Sequence, residues 1–485
     1  MTETAARGLW ARLLAPTDAA ALVVVRVALG LIVTVSAVRF LAYEWVDFLF
    51  VAPTFQFKYW GFSWVPALGA EGMRNLFVAA AVLGLMFAAG LFFRVAAALL
   101  FCVFAWLQLV DVTNYLNHYY LVTLLLGLHL FIPSHRAFSI DALLRPSLRS
   151  KTLPAWCTWL LRFQVATVYV FAGLAKLSGD WLLHAQPLNL WLAARTDLPL
   201  VGPWLEARWV AYLAAWGGFL FDTTVPLFLS LRRTRLPAYA VVLGFHAATS
   251  MLFPIGMFPV IMVCCALVFF EPSWPRKVWA KVRGAAFVPV SEKAPAARVL
   301  VPRFGTAALA VAVTYCALQV AMPLRTHLYG GNVLWHEQGM RFSWRVMARE
   351  KTGGVLFIVH DATGREHHVP PRRYLTRLQE REMSVQPDLV LQLAHHIARE
   401  FEAQGKGPVK VFADARVSLN GRASAPFIDP TVDLAKERDG LGAKRWILPA
   451  PEGPPIHLRP TLKPGFRRPV QPAPVAAGLS ATSST

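Results

Sequence analysis

Residues 19–41 read AAALVVVRVALGLIVTVSAVRFL, an almost unbroken apolar run. A helix that crosses a bilayer core needs about 20 apolar residues, and this run supplies them. Eight further stretches read the same way: 75–93, 95–111, 118–132, 156–177, 207–231, 236–253, 257–270 and 304–322. The stretches 118–132 and 257–270 are short, so they are expected to be buried in the bundle, tilted, or parts of broken helices. The break Pro254-Ile255-Gly256 points to such a discontinuity, since Pro and Gly interrupt the helical ladder. The fold class expected is a polytopic α-helical membrane bundle of about nine spans, some short or broken, followed by a β-rich α+β soluble domain.

Composition agrees. Of 485 residues, 56 % are apolar and only 16 % charged, with a mean hydropathy of +0.46. A soluble domain carries about 25 % charged residues. The 48 Lys and Arg against 28 Asp and Glu leave +20. On this apolar background that charge belongs to membrane loops and not to a nucleic-acid binder. Disordered, collagen-like and disulfide-scaffold chains are excluded. Cys102, Cys157, Cys264, Cys265 and Cys316 lie in or beside apolar stretches and read as buried small hydrophobes. The first eighteen residues lack the apolar region of a cleavable signal peptide.

Loop charge sets the orientation. With Arg7 and Arg12 cytoplasmic, nine crossings place Arg94, then Arg136, Arg145, Arg149 and Lys151, then Arg232, Arg233 and Arg235, then the basic stretch 271–303 on the same side. The outer loops hold only Lys58, Arg74, Arg195 and Arg208. The expected organisation is a membrane domain over 1–322, a soluble extracytoplasmic domain over 323–463, and a disordered Pro/Ala/Ser-rich tail over 464–485. In the soluble part, Phe342–Ala348, Val355–His360 and Val409–Ala415 read as strands. Leu419–Arg422 reads as a hairpin turn, and 386–404 as an amphipathic helix.

Three clusters carry candidate chemistry. In the first, Tyr169, Gly173 and Lys176 share one helix face near the end of a span. Gly173 allows a backbone or a ligand to come close beside Lys176, and a dehydrated lysine can serve as a base. The bland alternative is a lysine snorkelling to the headgroups. In the second, Asn114-Tyr115-Leu116-Asn117-His118-Tyr119-Tyr120 opens another span with several donors and a histidine. Its alternative is an interfacial aromatic belt with a capping Asn. In the third, Leu252-Phe253-Pro254-Ile255-Gly256-Met257-Phe258 is a broken helix that suits an apolar pocket, or an ordinary kinked core with His246 as a satisfied core histidine. A metal site is not expected: His367-His368 and His395-His396 are adjacent pairs that do not share a helix face.

Taken together these motifs resemble the vitamin K-dependent γ-glutamyl carboxylase family, including its bacterial relatives with the horizontally transferred transmembrane (HTTM) domain. The resemblance rests on Ala172–Trp181 (AGLAKLSGDW), Asn117–Leu121 (NHYYL), Leu252–Phe258 (LFPIGMF), Trp274–Lys277 (WPRK), Val417–Arg422 (VSLNGR) and Phe427–Pro430 (FIDP), in that family's order. It implies a lyase-type carboxylase. Reduced vitamin K, a menaquinol-type hydroquinone, is oxygenated by O2 to its epoxide while CO2 is added to the γ-carbon of protein Glu residues. Lys176 matches the catalytic base, His118 a histidine needed for carboxylation, and Asn117 its neighbour. Phe253, Met257 and Tyr169 fall to the quinone site, and Arg195 to the substrate carboxylate. The partners implied are the lipid bilayer, an isoprenoid quinol and a Glu-containing protein or peptide, with no nucleic acid. The location implied is a bacterial inner membrane. Departures are Ala175, where animal members carry a second Lys, and the lack of cysteines for a loop-to-domain disulfide. Two other functions remain open: a quinol epoxidase or oxidase that carboxylates nothing, and a non-catalytic membrane scaffold that keeps the fold.

Overall fold

The structure, a computed structural model, describes residues 10–290 and 305–455. The expected tail over 464–485 lies outside the described residues. Each expected apolar stretch forms a helix: α1 (Ala20–Ala42), α2 (Gly69–Ala89), α3 (Phe93–Leu109), α4 (Asn117–His129), α5 (Ala155–Leu174), α6 (Arg208–Ser230), α7 (Arg235–Leu252), α8 (Phe258–Ala266) and, after the short α9 (Trp274–Val282), α10 (Gly305–Leu324). Among the described residues, four helices are long and apolar enough to cross a membrane: α1, α2, α5 and α6. A fifth counts if Phe258–Phe269 and Trp274–Val282, bent by 96°, form one broken span. The expected count of nine is therefore not confirmed among the described residues. The helices α4 and α8 are too short to span 30 Å at 1.5 Å per residue, and the apolar α3 has 17 residues.

Consecutive helices run up and down, so the two ends of the bundle can be told apart. The first end gathers the starts of α1, α3 and α5, where the two-stranded sheet β1 (Pro16–Asp18) with β2 (Thr152–Pro154) ties the chain together. The second gathers the ends of α1, α3 and α5 and the start of α4. Leu31, Val35, Val82, Leu85 and Leu99 stay exposed along α1, α2 and α3, as side chains that face lipid do. Of the cysteines only Cys157 and Cys265 are buried. Cys102 is exposed on α3, which corrects its reading as a core residue.

The sheet domain covers the second end. Its antiparallel sheet has the order β4 (Glu366–Val369), β3 (Lys351–His360), β5 (Lys410–Leu419), β6 (Ala425–Pro426). In β5, Val411, Ala413, Ala415, Val417 and Leu419 alternate inward, the period-2 pattern of a half-buried strand. They share a core with the buried stripe Leu389, Leu393, Ile397 and Phe401 of α12 (Pro387–Ala403), which follows α11 (Arg377–Met383). The turn after β5 is where the sequence placed it, with Asn420 and Gly421 at φ 51° and 84° and Arg422 N donating to Leu419 O at 3.0 Å.

The segment Phe342–Ala348 is not a strand. Phe342, Trp344 and Met347 have positive φ, which no strand allows. The aromatic alternation serves docking instead. The Phe342 and Trp344 rings each lie 4.8 Å from the Tyr120 ring, and Tyr115 Oη accepts from Phe342 N at 2.9 Å. Phe57 and Val112, from loops of the bundle, join the sheet domain's core.

Candidate functional site

Lys176 lies just past the C-terminal end of α5 and is 6 % exposed. Its Nζ donates to Asp222 Oδ2 at 2.7 Å and to Ala172 O at 3.0 Å, and sits 5.3 Å from the centre of the Trp181 ring. The snorkelling alternative is therefore set aside. The amine is one half of a buried ion pair. Gly173 explains how the pair forms. A Cβ there would lie 2.5 Å from Thr223 Cγ2 and 2.9 Å from Thr223 N, so only glycine lets α6 come close enough to lay Asp222 beside Lys176. A charge inside a membrane is expensive and persists when paired. Asp222 stands in an apolar 23-residue helix. That anomaly is the same kind as Lys176's, and it was the available signal that sequence reading passed over.

Tyr169, two turns before Lys176, is also buried. Its hydroxyl hydrogen-bonds His246 Nε2 at 3.0 Å, and its ring meets Phe221, the neighbour of Asp222, edge-on at 5.7 Å. His246 is only half satisfied, because its Nδ1 is buried without a partner.

Asn117 and His118 open α4 and face a cavity of about 540 Å³ at the second end of the bundle. Phe40, Trp45, Phe77, Phe104 and Phe258 give it aromatic walls. The loop Pro254–Met257, between α7 and α8, closes one side, and Val346, Met347, Leu378 and Glu382 reach in from the sheet domain. Met257 lines this cavity. Asn117 Oδ1 accepts from Tyr115 Oη at 3.0 Å. The His118 ring touches the rings of Tyr119 and Phe258 and has no hydrogen bond among the described residues. Gly256, with φ 59°, passes close to that imidazole: a Cβ there would lie 4.0 Å from its Nε2.

Lys176 does not line this cavity, and neither do Tyr169, Phe253 and Arg195. Phe258 connects the two regions, since its ring lies 6.1 Å from both the His118 and the His246 rings. Phe253 instead packs against Trp191 at 5.8 Å. Arg195 Nη1 donates to Leu252 O at 2.6 Å and its Nε lies 3.6 Å from Asp197. Among the described residues no cluster of three or more His, Cys, Asp or Glu could hold a metal.

The sheet domain clamps the segment that follows Lys176. Arg422 Nη1 and Nη2 donate to the two oxygens of Asp180 at 2.7 Å each, and Asn420 Nδ2 adds a bond at 2.8 Å. Burial pushes the Asp180 carboxyl up, but the hydrogen bonds from Arg422 and Asn420 outweigh it and hold the group below its usual value. The motifs at 172–181 and 417–422, far apart in sequence, thus meet in space. Gln379 Nε2 donates to Asp111 Oδ2 at 2.8 Å and Trp191 Nε1 to Glu350 Oε2 at 2.7 Å, which bind the domains further. The reach of Glu382 into the cavity had no cue in the sequence.

Residues 14–274 match the HTTM domain, and residues 305–453 match the vitamin K-dependent gamma-carboxylase lumenal domain. No solved structure matches the chain. The chain belongs to the vitamin K-dependent γ-glutamyl carboxylase family, and its HTTM domain and apolar helices mark it as an integral membrane protein.

Proposed function

We propose that this chain is a membrane carboxylase that couples oxygenation of a reduced vitamin K-type quinol to CO2 addition at the γ-carbon of protein Glu residues. The observation that carries the reading is the buried Lys176–Asp222 pair. It lies at the same end of the bundle as an aromatic cavity that holds an unpaired histidine. The cavity fits the quinol: rings of Phe and Trp wall it, and Asn117, His118 and Glu382 place polar atoms at its rim. When bound, the reduced quinone supplies, with O2, the strong base that removes the γ-proton.

The chain's own residues prepare that step. Passing one proton from the Lys176 ammonium to Asp222 leaves an amine and a carboxylic acid, both uncharged. A dry site favours that exchange because it removes two buried charges. Lys176 does not line the cavity, so the amine becomes the base for a quinol hydroxyl once the aromatic partition at Phe258 yields to the ring. His118 and Asn117 orient oxygens within the cavity. The sheet domain, over 323–463, closes the site against water and admits a polypeptide Glu from the aqueous side, while residues 1–322 hold the lipid-soluble partner. Loop charge supports a cytoplasmic N-terminus and an extracytoplasmic sheet domain in a bacterial inner membrane.

A second reading, quinol oxygenation without carboxylation, is favoured by one observation. Arg195 is engaged by Leu252 O and Asp197 and does not face the cavity. Purified protein, reduced vitamin K, a Glu-containing peptide and labelled bicarbonate separate the two. The first reading requires label in the peptide together with epoxide; the second gives epoxide alone. Lys176→Ala is expected to abolish both products, and His118→Ala to reduce carboxylation more than epoxidation. Full epoxidation by Lys176→Ala removes the base assignment.

A further inference from the structure

At the first end of the bundle, opposite the sheet domain, the loop 134–139 and the short helix Ile140–Leu144 line an open cleft of about 710 Å³. Arg136, Arg149, Lys151 and Arg276 line it, and no carboxylate does. The nearby acids are already engaged. Asp18 is paired with Arg276 at 2.9 Å, and Asp141 accepts from Phe92 N and Phe93 N at 2.8 Å each. Arg136 and Lys151 are exposed and have no ion-pair partner among the described residues. Arg149 Nε donates to Ala142 O at 2.6 Å but has no carboxylate partner among the described residues either, so Arg136, Arg149 and Lys151 face the cleft with their charges unpaired.

The floor is fixed in place. The buried Arg26 guanidinium donates to Ser134 O at 2.8 Å, Phe138 O at 2.6 Å and Ala88 O at 3.2 Å. That holds the loop in one shape before any ligand arrives. Beside the cations, Phe138, Leu143 and Leu144 are 61 %, 67 % and 67 % exposed. Large apolar side chains left bare next to arginines, at the level where the spanning helices end, mark the boundary between headgroups and acyl chains.

We propose that this cleft binds the phosphate headgroup of an anionic phospholipid. The ligand chemistry is a phosphate, and the exposed Phe138 and Leu143 select the lipid over the free ion because they offer surface to an acyl chain. The proposal is independent of the quinol reading, since none of its residues belongs to the cavity at the other end.

Native mass spectrometry of the full chain in detergent tests it, with phosphatidylglycerol and phosphatidylcholine of identical acyl chains and with inorganic phosphate as competitor. Phosphatidylglycerol is expected to bind roughly tenfold or more tightly than phosphatidylcholine, from two or three basic contacts. Arg136→Gln with Lys151→Gln should erase that preference. Lys151→Gln alone should lower it by roughly threefold or more and is read in case the double variant does not fold. Equal retention of the two lipids, or a preference untouched in a folded variant, overturns the proposal. Displacement of the lipid by equimolar inorganic phosphate also overturns it and assigns the cleft to a free anion.

Discussion

Removing one partner of the Lys176–Asp222 pair leaves the other as an uncompensated buried charge, whereas removing both leaves none. Both side chains are under 10 % exposed and only 2.7 Å apart, so screening by water is slight. Breaking a buried pair from one side costs about 3–5 kcal/mol. Lys176→Met and Asp222→Leu should therefore each lower the unfolding temperature in detergent, by roughly 4–7 °C for a domain of about 320 residues. The double variant replaces the pair by apolar groups of similar volume, which is neutral or stabilising elsewhere. It should regain most of that loss. Activity should follow a different course: all three variants lose epoxidation, because no amine–acid pair remains to hand a proton over. Thermal unfolding beside epoxide formation makes the double-mutant cycle. If the double variant were as unstable as the sum of the singles, the two groups would not be coupled. If it were stable and fully active, the pair would be structural and the proton argument would fail.

The clamp on Asp180 gives a second test. Arg422→Ala removes two charged hydrogen bonds from a carboxylate that is 12 % exposed, a loss of about 1.5–3 kcal/mol. Hydrogen exchange should rise in 178–182 and 417–426 while the rest of the sheet domain stays protected, and unchanged exchange there would mean that the domain docks through other contacts. Lys351 gives a pH test outside the membrane. Burial lowers its ammonium to about 8 from 10.5, against the raising effect of Glu337. Between those values the unfolded chain binds more protons, so stability should rise with pH from about 8 towards 10.5, by at most about 1.4 kcal/mol per pH unit. A Lys351→Met variant should lack that rise when full-chain unfolding is followed across the window.

Spans were legible where the physics is local. The runs 19–41, 156–177 and 207–231 end within one to three residues of α1, α5 and α6, because a long apolar run has few alternatives to a helix. The Asn420-Gly421 turn was legible for the same reason, as positive φ selects those residues. The pairing of Lys176 was not. Its partner is 46 positions away, and Gly173 announced a close approach without saying what approaches. Phe342–Ala348 misled because the alternation of a strand and the spacing of aromatic rings against Tyr115 and Tyr120 look alike in one dimension. The separation of His118 from the buried pair was not legible either, since Phe258 lies between the His118 and His246 rings and its position depends on the turn at Gly256.

That separation bears on how the two halves of the site cooperate. Gly173 is pressed against the α6 backbone on one side, and Asp180 is held by Arg422 on the other, so the backbone that carries Lys176 is pinned at both ends. The loop Pro254–Met257, in contrast, has a wall of the cavity on one side and lies next to Phe258, whose ring touches both imidazoles. The loop's backbone hydrogen bonds are local turns, Ile255 N to Phe253 O at 2.9 Å and Phe258 N to Ile255 O at 3.3 Å. This supports an arrangement in which the amine stays in place and the aromatic partition at Phe258 adjusts when a flat ring enters the cavity, joining His118 to the buried pair. Phe258→Ala would then enlarge the passage and preserve the pair. Its effect belongs in quinol affinity and in leakage of the carboxylating step to water, with the unfolding behaviour of the Lys176–Asp222 cycle unchanged.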